Sequence, residues 1–264
     1  MSGESPSILP GWTGSKRILA APNCLLRSSL FAATRPSSDK FVREMKICSI
    51  SGVDIKYTGL LLTQTDLDVW HGILMIAREQ KAPEFVDMSV KPFLKMIERQ
   101  TGKAERDWLK SSLTKLKTAA IEVTSKDVTY VGSLIDEYYR QESTGHLAIK
   151  VNQKLAELFA PNSWTAIDWN QRSCLQRKAL AQWIHAFYST HRAPFPIRVA
   201  TIMKMCGSKH KELRMFRRAL REALSEVASV TGWVCRIDKS SDKVMVSRTA
   251  HEELGGYQSQ FGGM

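Results

Sequence analysis

Long hydrophobic runs are missing from this sequence, and no stretch approaches the ~20 apolar residues that a helix needs to span a bilayer. Residues 1–10 lack a basic region followed by an apolar one, so we do not expect a secretory signal. Cysteine is also scarce, and its five occurrences are Cys24, Cys48, Cys174, Cys206 and Cys235. An odd, widely spaced set is typical of reduced thiols rather than of a disulfide framework. These absences predict a soluble cytoplasmic protein.

The sequence also lacks the motifs of enzymes that hydrolyse nucleotides or cut DNA. No glycine-rich loop leads into Lys-Ser or Lys-Thr, so a phosphate-binding loop is not supported. The run Asp-Glu-Tyr-Tyr at 136–139 resembles the tyrosine site of DNA-nicking initiators, which also need a His-x-His metal motif. No such motif occurs here, and alternation along a strand is the simpler explanation of the tyrosines.

Candidate metal ligands and paired carboxylates are equally sparse. Cys206 and His210 could begin a zinc site, but no second pair follows at ligand spacing. Asp66 and Asp68 diverge on a helix because they are two positions apart, and they better suit the charge preference of a helix N-terminus. We therefore predict no catalytic residue, no metal site and no cofactor, and a protein that acts by binding.

Acidic residues are outnumbered, since 26 Asp and Glu accompany 38 Lys and Arg and leave a formal net charge of +12. An excess of this size favours an acidic partner, either nucleic acid or an anionic membrane surface. The 264 residues are enough for two domains of ordinary size.

The basic residues concentrate in the segment 209–231, which sorts into two faces when it is read as a helix at about 100° per residue. The apolar face contains Leu213, Phe216, Leu220, Ala223, Leu224 and Val227. The basic face contains Lys211, Arg214, Arg217, Arg218 and Arg221. A solvated face is the simpler interpretation. However, gathered cations repel one another unless a polyanion faces them, which favours a helix in a DNA groove.

Helical and strand periodicity predicts three helices closed by a hairpin in the first half of the chain. The helices cover about 65–80, 90–99 and 103–119, and the strands cover 121–124 and 128–131. The third helix again gathers its cations on one outer arc, with Lys103, Arg106, Lys110 and Lys117. This order of elements is typical of a winged helix, a variant of the helix-turn-helix.

The second half repeats the plan at an offset of about 110 residues. It predicts a long helix over about 172–190, a short one over about 199–205, the basic helix from Lys209 to Thr231, and a hairpin of 233–237 and 243–247. Because one basic helix could be a solvated face but two in equivalent positions are harder to explain that way, we predict a tandem DNA reader.

The predicted fold class is mainly α with small β hairpins (α+β), built as two tandem winged-helix domains with a flexible N-terminal tail. Residues 1–40 form a mostly disordered tail with a short partner-binding segment, 41–150 the first domain, 151–250 the second, and 251–264 a loose C-terminal tail. Within the N-terminal tail, residues 23–33 predict a short amphipathic helix, for which packing on the body is favoured over a partner.

The predicted DNA-binding residues lie on the two third helices and in the turns of the hairpins. They are Lys103, Arg106, Lys110, Lys117, Lys126, Lys209, Lys211, Arg214, Arg217, Arg218, Arg221, Lys239 and Lys243. Arginines such as Arg214 and Arg218 suit guanine edges because a guanidinium fork matches O6 and N7. The lysines suit phosphates and would set the register on the duplex.

Three groups of residues form longer motifs. They are Pro22-Asn23 with Leu26-Arg27-Ser28-Ser29-Leu30-Phe31, Tyr57-Thr58-Gly59 with Gln64 and Asp66-Leu67-Asp68-Val69-Trp70, and His191-Arg192-Ala193-Pro194-Phe195-Pro196 with Met205-Cys206-Gly207-Ser208. In these motifs the sequence resembles the TrfA-type plasmid replication initiators. The resemblance implies tandem winged helices that bind direct repeats (iterons) in the replication origin of a plasmid, in the cytoplasm of a bacterium. It also implies opening of adjacent A·T-rich DNA, recruitment of the host replicative helicase and polymerase clamp, and a monomer–dimer equilibrium.

The resemblance is incomplete at the peptide that contacts the polymerase clamp. Relatives carry Gln-Leu-x-Leu-aromatic before the Pro-Asn motif, whereas this chain has Ile8-Leu9-Pro10-Gly11-Trp12. The glutamine and the second leucine are absent, so only Leu9, Pro10 and Trp12 are assigned to weak clamp binding.

Two alternatives share the same modules. A winged-helix transcriptional regulator would bind DNA without melting it, and an adaptor would use the modules to bind other proteins, with the charge serving solubility.

Overall fold

The computed structural model of the protein describes residues 17–34, 40–47, 54–81, 84–125, 128–152 and 163–248. Its helices are α1 (Asn23–Leu26), α2 (Gln64–Glu79), α3 (Val90–Met96), α4 (Lys103–Thr118), α5 (Trp169–Cys174), α6 (Ala179–Ser189), α7 (Val199–Met205) and α8 (Leu213–Thr231). Its strands are β1 (Ile18–Pro22), β2 (Phe31–Ala32), β3 (Phe41–Ile47), β4 (Asp54–Leu60), β5 (Leu62–Thr63), β6 (Val86–Ser89), β7 (Ala120–Ser125), β8 (Val128–Gly132), β9 (Ile135–Gln141), β10 (His146–Val151), β11 (Trp164–Asp168), β12 (Ile197–Arg198), β13 (Val234–Asp238) and β14 (Lys243–Ser247). The chain is therefore a mixed α and β protein with several small sheets.

The helices α2, α3 and α4 lie where periodicity predicts them. The capping arrangement at the start of α2 involves Thr63 and Asp66, because the Thr63 backbone N–H donates to Asp66 Oδ2 at 2.9 Å and the Thr63 hydroxyl donates to the same oxygen at 3.0 Å. The other carboxylate oxygen of Asp66 accepts from the Ser112 hydroxyl of α4 at 2.8 Å. Asp66 therefore joins two helices as well as capping one.

The strands extend beyond the predicted hairpins. The hairpin β7–β8 forms, but it completes a four-stranded sheet in the order β3-β4-β7-β8. The strand β6, between α2 and α3, pairs instead with β10 in a sheet of order β6-β10-β9. The prediction that β7–β8 closes the helical unit is thus corrected, since β9–β10 takes that place. Local patterning could not reveal this, because strands of equal quality compete for the same partner.

The second half also has a three-stranded sheet that begins with a short strand between two helices, but among its described residues it has no counterpart of the four-stranded sheet β3-β4-β7-β8. Its short strand β12 lies between α6 and α7 and pairs with β14, in the order β12-β14-β13. In both halves the first short strand therefore pairs with the last strand, and the middle strand lies at the other edge. The repeated plan inferred from the sequence is present at the level of strand pairing.

Two predicted helix boundaries are wrong in the second half. The helix expected over 172–190 is divided into α5 and α6, and Arg177 between them has a left-handed backbone with φ of 63°. The basic helix begins at Leu213 rather than at Lys209. The chain turns before it, because the Gly207 N–H donates to the Lys204 carbonyl and the Ser208 N–H to the Met203 carbonyl, as in a Schellman motif.

Part of the predicted N-terminal tail is ordered, which corrects the prediction for residues 17–34. The strand β1 pairs antiparallel with β11, and β2 pairs with β5. The helix expected over 23–33 is limited to the single turn α1, although its apolar residues Leu25, Leu26, Leu30 and Phe31 are all buried as packing on the body requires. The hydrophobic burial was correctly predicted, but its backbone conformation was not.

The described residues bury two hydrophobic clusters. The first contains Trp70, Phe93, Leu113 and Ile149. We call the elements around it, all strands from β1 to β11 and the helices α1 to α4, the first lobe. The second contains Trp183, Phe187, Phe216 and Leu220, and we call α6–α8 with β12–β14 the second lobe. The helix α5 contributes Trp169 to the first cluster and precedes Leu175 of the second. The clusters place α4 and α8 in equivalent positions, each packed by its apolar face.

Gly207 allows a test of the contact between the second lobe and residues 17–34, which we call the N-terminal segment. Its φ is +64°, and a Cβ there would lie 3.0 Å from Ala32 Cβ and 3.3 Å from Ser29 Cβ. Gly232, the C-terminal cap of α8, has a similar φ of +76° but open space around it. We expect Gly232→Ala to cost about 1–2 kcal/mol from the left-handed backbone alone. Gly207→Ala should cost more, as measured by urea unfolding, and equal losses would contradict this packing.

Candidate nucleic-acid interface

The helix α8 presents three exposed arginines on one face. Phe216, Leu220, Ala223, Leu224 and Val227 are buried on its other face, where the helix packs on α6, α7 and β13. Arg214, Arg218 and Arg221 are exposed, and their spacing of four and three residues places them on one stripe of about 10 Å. Arg218 lies 3.4 Å from Glu222, an exposed pair that solvent screens. The arrangement offers three guanidinium groups to a partner without disturbing the core.

Arg217, predicted to bind DNA, has an intramolecular partner. Its Nε and Nη2 donate to the two carboxylate oxygens of Asp242 at 2.8 and 2.9 Å, which joins α8 to the turn of the hairpin β13–β14. The Arg217 hydrogen bond lowers the pKa of Asp242 and raises that of Arg217. Arg217 therefore positions the hairpin relative to α8. The helical pattern alone could not distinguish it from Arg218.

This hairpin ion pair should be energetically coupled, and a double-mutant cycle can measure the coupling. We expect the variants Arg217→Ala and Asp242→Ala to be non-additive in thermal unfolding at pH 7, because two parallel hydrogen bonds are lost together. The pair Arg218–Glu222 is the matched control, and its single bond is more exposed. The coupling of the hairpin ion pair should also fade as the pH falls through the lowered pKa of Asp242. Equal coupling in both cycles would contradict the assignment.

The turn of the same hairpin is held by local hydrogen bonds. Asp238 Oδ2 accepts from the Ser241 hydroxyl at 2.5 Å, from the Ser240 hydroxyl at 2.7 Å and from the Ser241 backbone N–H at 2.8 Å. These hydrogen bonds, that of the Ser241 hydroxyl above all, hold the pKa of Asp238 well below its usual range. Lys239 is exposed at this turn, while Lys243 at the start of β14 is partly buried. The turn thus presents Lys239 to solvent next to a carboxylate that remains charged.

The other predicted cations occupy exposed positions wherever the structure describes them. On α4, Lys103, Arg106, Lys110 and Lys117 are exposed, whereas Leu109, Ser112, Leu113 and Leu116 are buried. Lys209 and Lys211 are exposed in the segment before α8, so they are not on the helix as predicted. Lys126 and the residues Leu9, Pro10 and Trp12 lie outside the described residues. The structure therefore gathers predicted cations on α4 and around the start of α8.

Sequence reasoning missed a buried polar network between the lobes. Arg172 of α5 is fully buried, and its Nε donates to Asp68 Oδ1 of α2 at 2.6 Å. The sequence interpretation assigned Asp68 to helix N-terminal charge, since its partner lies 104 residues away. The charged type of both residues at otherwise apolar positions was the available signal.

Among the residues that the structure describes, no helix is long and apolar enough to cross a membrane. Within the same residues, no group of three His, Cys, Asp or Glu side chains is placed to hold a metal ion.

Two solved structures share this two-lobed fold. Domains 2 and 3 of RctB match with a TM-score of 0.59 over 85% of this chain and 97% of that chain, at 11% sequence identity. The Pi initiator protein in complex with iteron DNA matches with a TM-score of 0.57 over 89% of this chain and 97% of that chain, at 12% identity. At these identities the likeness establishes the fold, which is that of these two proteins.

The sequence establishes the family. The TrfA protein family matches residues 6–248, so this chain belongs to the TrfA family, and the resemblance inferred from the motifs is confirmed. The plasmid replication initiator protein TrfA of Escherichia coli is 24% identical to it over 224 residues, which cover 82% of this chain. The chain spans 58% of the length of that relative.

Proposed function

We propose that this chain is a plasmid replication initiator that binds direct repeats, the iterons, in the duplex DNA of an origin. The observation that carries the proposal is the stripe of exposed arginines Arg214, Arg218 and Arg221 on a helix whose other face is buried. Membership of the TrfA family and the fold shared with an iteron-bound initiator support the same function.

Both lobes are proposed to act as winged-helix domains. The order of elements supports this proposal, because each lobe has a helix, a short strand, two further helices and a hairpin that pairs with the short strand, as is typical of a winged helix. The third helices α4 and α8 would enter the major groove, and the hairpins β9–β10 and β13–β14 would serve as wings. The domains are proposed as residues 41–150 and 151–250, with residues 17–34 packed against both. β11 falls within the second range, although it pairs with β1 and packs on the first hydrophobic cluster.

The residue roles follow from geometry and charge. Arg214 and Arg218 would reach guanine edges, because they lie near the start of α8 where recognition helices contact bases. The lysines of α4, Lys209, Lys211 and Lys239 would neutralise phosphates and set the register. Arg217 would contribute indirectly by holding the wing.

The later steps of initiation belong to the same proposal. The protein would help to open adjacent A·T-rich DNA and recruit the host replicative helicase in the bacterial cytoplasm. It would contact the polymerase sliding clamp weakly through Leu9, Pro10 and Trp12, and it would act in a monomer–dimer equilibrium. It would need no cofactor and would not act as an enzyme. Permanganate probing of origin DNA tests the melting step, and repression without melting would favour a transcriptional regulator.

The salt dependence of binding tests the electrostatic part of the proposal. If roughly 6 to 10 phosphates are contacted, affinity should fall by about 10³- to 10⁵-fold between 50 and 200 mM salt. The probe is the DNA beside the gene, which should contain short direct repeats next to an A·T-rich tract. Titration by fluorescence anisotropy at several salt concentrations gives the slope. A complex insensitive to salt would contradict phosphate contact by these cations.

A further inference from the structure

The boundary between the lobes contains a buried ion pair with hydrogen bonds in several directions. Arg172 of α5 pairs with Asp68 of α2, and its Nη2 donates to the Gln64 carbonyl at 3.2 Å and to Gln64 Oε1 at 3.1 Å. The second oxygen of Asp68 accepts from Gln182 Nε2 of α6 at 3.1 Å. The network thus joins α2 of the first lobe directly to α6 of the second, and it bonds α5 to the same carboxylate. We call Asp68, Arg172, Gln64 and Gln182 the interlobe network.

Buried charge is a costly way to join two surfaces. Removing two ions from water costs several kcal/mol each, and apolar residues of similar volume often stabilise a protein as well or better. What an ion pair adds is direction, because a guanidinium fork and a carboxylate satisfy their bonds in only one relative orientation. An apolar boundary could slide and still remain buried. The interlobe network therefore specifies how the lobes are oriented more than how strongly they adhere.

The N-terminal segment also helps to fix the relative orientation of the two lobes, because it is hydrogen-bonded to both. Gln64 Nε2 donates to the Phe31 carbonyl at 2.6 Å, which connects the interlobe network to that segment. On the second lobe, Arg27 donates through Nε to the Thr190 hydroxyl at 2.8 Å, and the Trp183 indole donates to the Ser28 carbonyl at 3.0 Å. One segment of the chain is thereby bonded to both lobes.

We infer that the interlobe network is a positioning device that sets the spacing of the two DNA-reading helices. This inference rests on the proposed function. Two modules on one chain gain affinity from simultaneous binding only when their separation matches the separation of their sites. Asp68 and Arg172 touch no DNA-facing residue named above, so they act through the placement of α4 and α8. Their loss relaxes the spacing that the protein requires and leaves each half of the site recognised.

The test uses the full chain and DNA that the wild-type protein selects from random duplexes of about 30 base pairs, nearly three helical turns. Hydroxyl-radical footprinting locates the two halves, and base pairs are then inserted between them. An insertion of about 5 base pairs moves one half to the opposite side of the helix. Wild-type affinity should fall by about 10²- to 10⁴-fold, because simultaneous binding is lost.

The decisive variant is the double substitution Asp68→Leu with Arg172→Met, which removes both charges and leaves none unpaired. It should bind an isolated half as the wild type does, while its loss on insertion is at least about 10-fold smaller than the wild-type loss. A folded double variant with the wild-type insertion loss would overturn the inference. Arg172→Lys, which keeps the charge and removes the fork, decides the matter if the double variant does not fold, since it too must tolerate the insertion better. A wild-type protein that selects no DNA would instead refute the proposed function.

Discussion

Replacing Arg214, Arg218 and Arg221 with alanine should lower the affinity for repeat DNA by about 10²-fold or more at moderate salt. Each arginine lost from a base or phosphate contact costs about 1–3 kcal/mol of binding, and the three lie on one exposed stripe of α8. The fold should survive, because none of the three is buried and alanine favours a helix. Anisotropy titration with repeat DNA, beside a thermal unfolding curve, measures both effects.

A charge-matched control separates contact from general attraction. Lys40, Arg43 and Lys46 are exposed along β3 and its approach, so their replacement with alanine removes the same charge elsewhere. We expect this control to lower affinity by less than about tenfold at the same salt, since distant exposed charges are screened. If both triple variants lost affinity equally, α8 would have no special role. If the α8 variant kept full affinity, the adaptor alternative would be favoured.

The Asp68→Ala variant should lose about 3–5 kcal/mol of folding free energy, because it leaves the buried Arg172 without its carboxylate. This is a large fraction of the stability of an ordinary domain. Urea unfolding monitored by tryptophan fluorescence is suitable, since Trp70 and Trp183 are buried in the two hydrophobic clusters.

Asp87 provides the control for this loss. It is also an aspartate of the first lobe, but its side chain is 61% exposed and its Oδ1 lies 3.8 Å from His146 Nε2. Asp87→Ala should change stability by no more than about 0.5 kcal/mol. Similar losses of folding free energy for the two variants would contradict the burial of the Asp68–Arg172 pair.

The helices α2, α3 and α4 were predicted well from the sequence, because their buried residues recur at helical spacing. Leu109, Leu113 and Leu116 recur at helical spacing in α4, and the structure buries all three. The end of α8 at Gly232 could be predicted equally well, since a residue with a left-handed backbone often ends a helix and glycine adopts that conformation readily. The exposed position of Arg214 and Arg218 follows from the same periodicity. Whether they contact DNA stays a prediction.

The errors concern features that depend on distant partners. Nothing local distinguishes β7–β8 from β9–β10 as the hairpin that closes the unit of α2, α3 and α4, so the nearer hairpin was predicted, and the short strand β6 was not predicted at all. Similarly, Arg217 and Arg218 are adjacent cations, and only the position of Asp242 in the folded hairpin separates them. Residues 23–33 carry apolar residues at helical spacing, but only the single turn α1 is helical, and so short a helix is not defined by periodicity.

The pairing of β1 with β11 constrains the order in which the protein can fold during synthesis. Ile18 lies opposite Asp168, so the edge of the first lobe cannot close until most of the chain has left the ribosome. Closing so long a loop is entropically unfavourable and slow compared with forming the local helices α2–α4. A nascent chain that ends before β11 would expose the apolar residues Leu19, Ala20 and Ala21 of β1, which are buried in the finished protein. Chaperone dependence should therefore be greatest in that interval of translation.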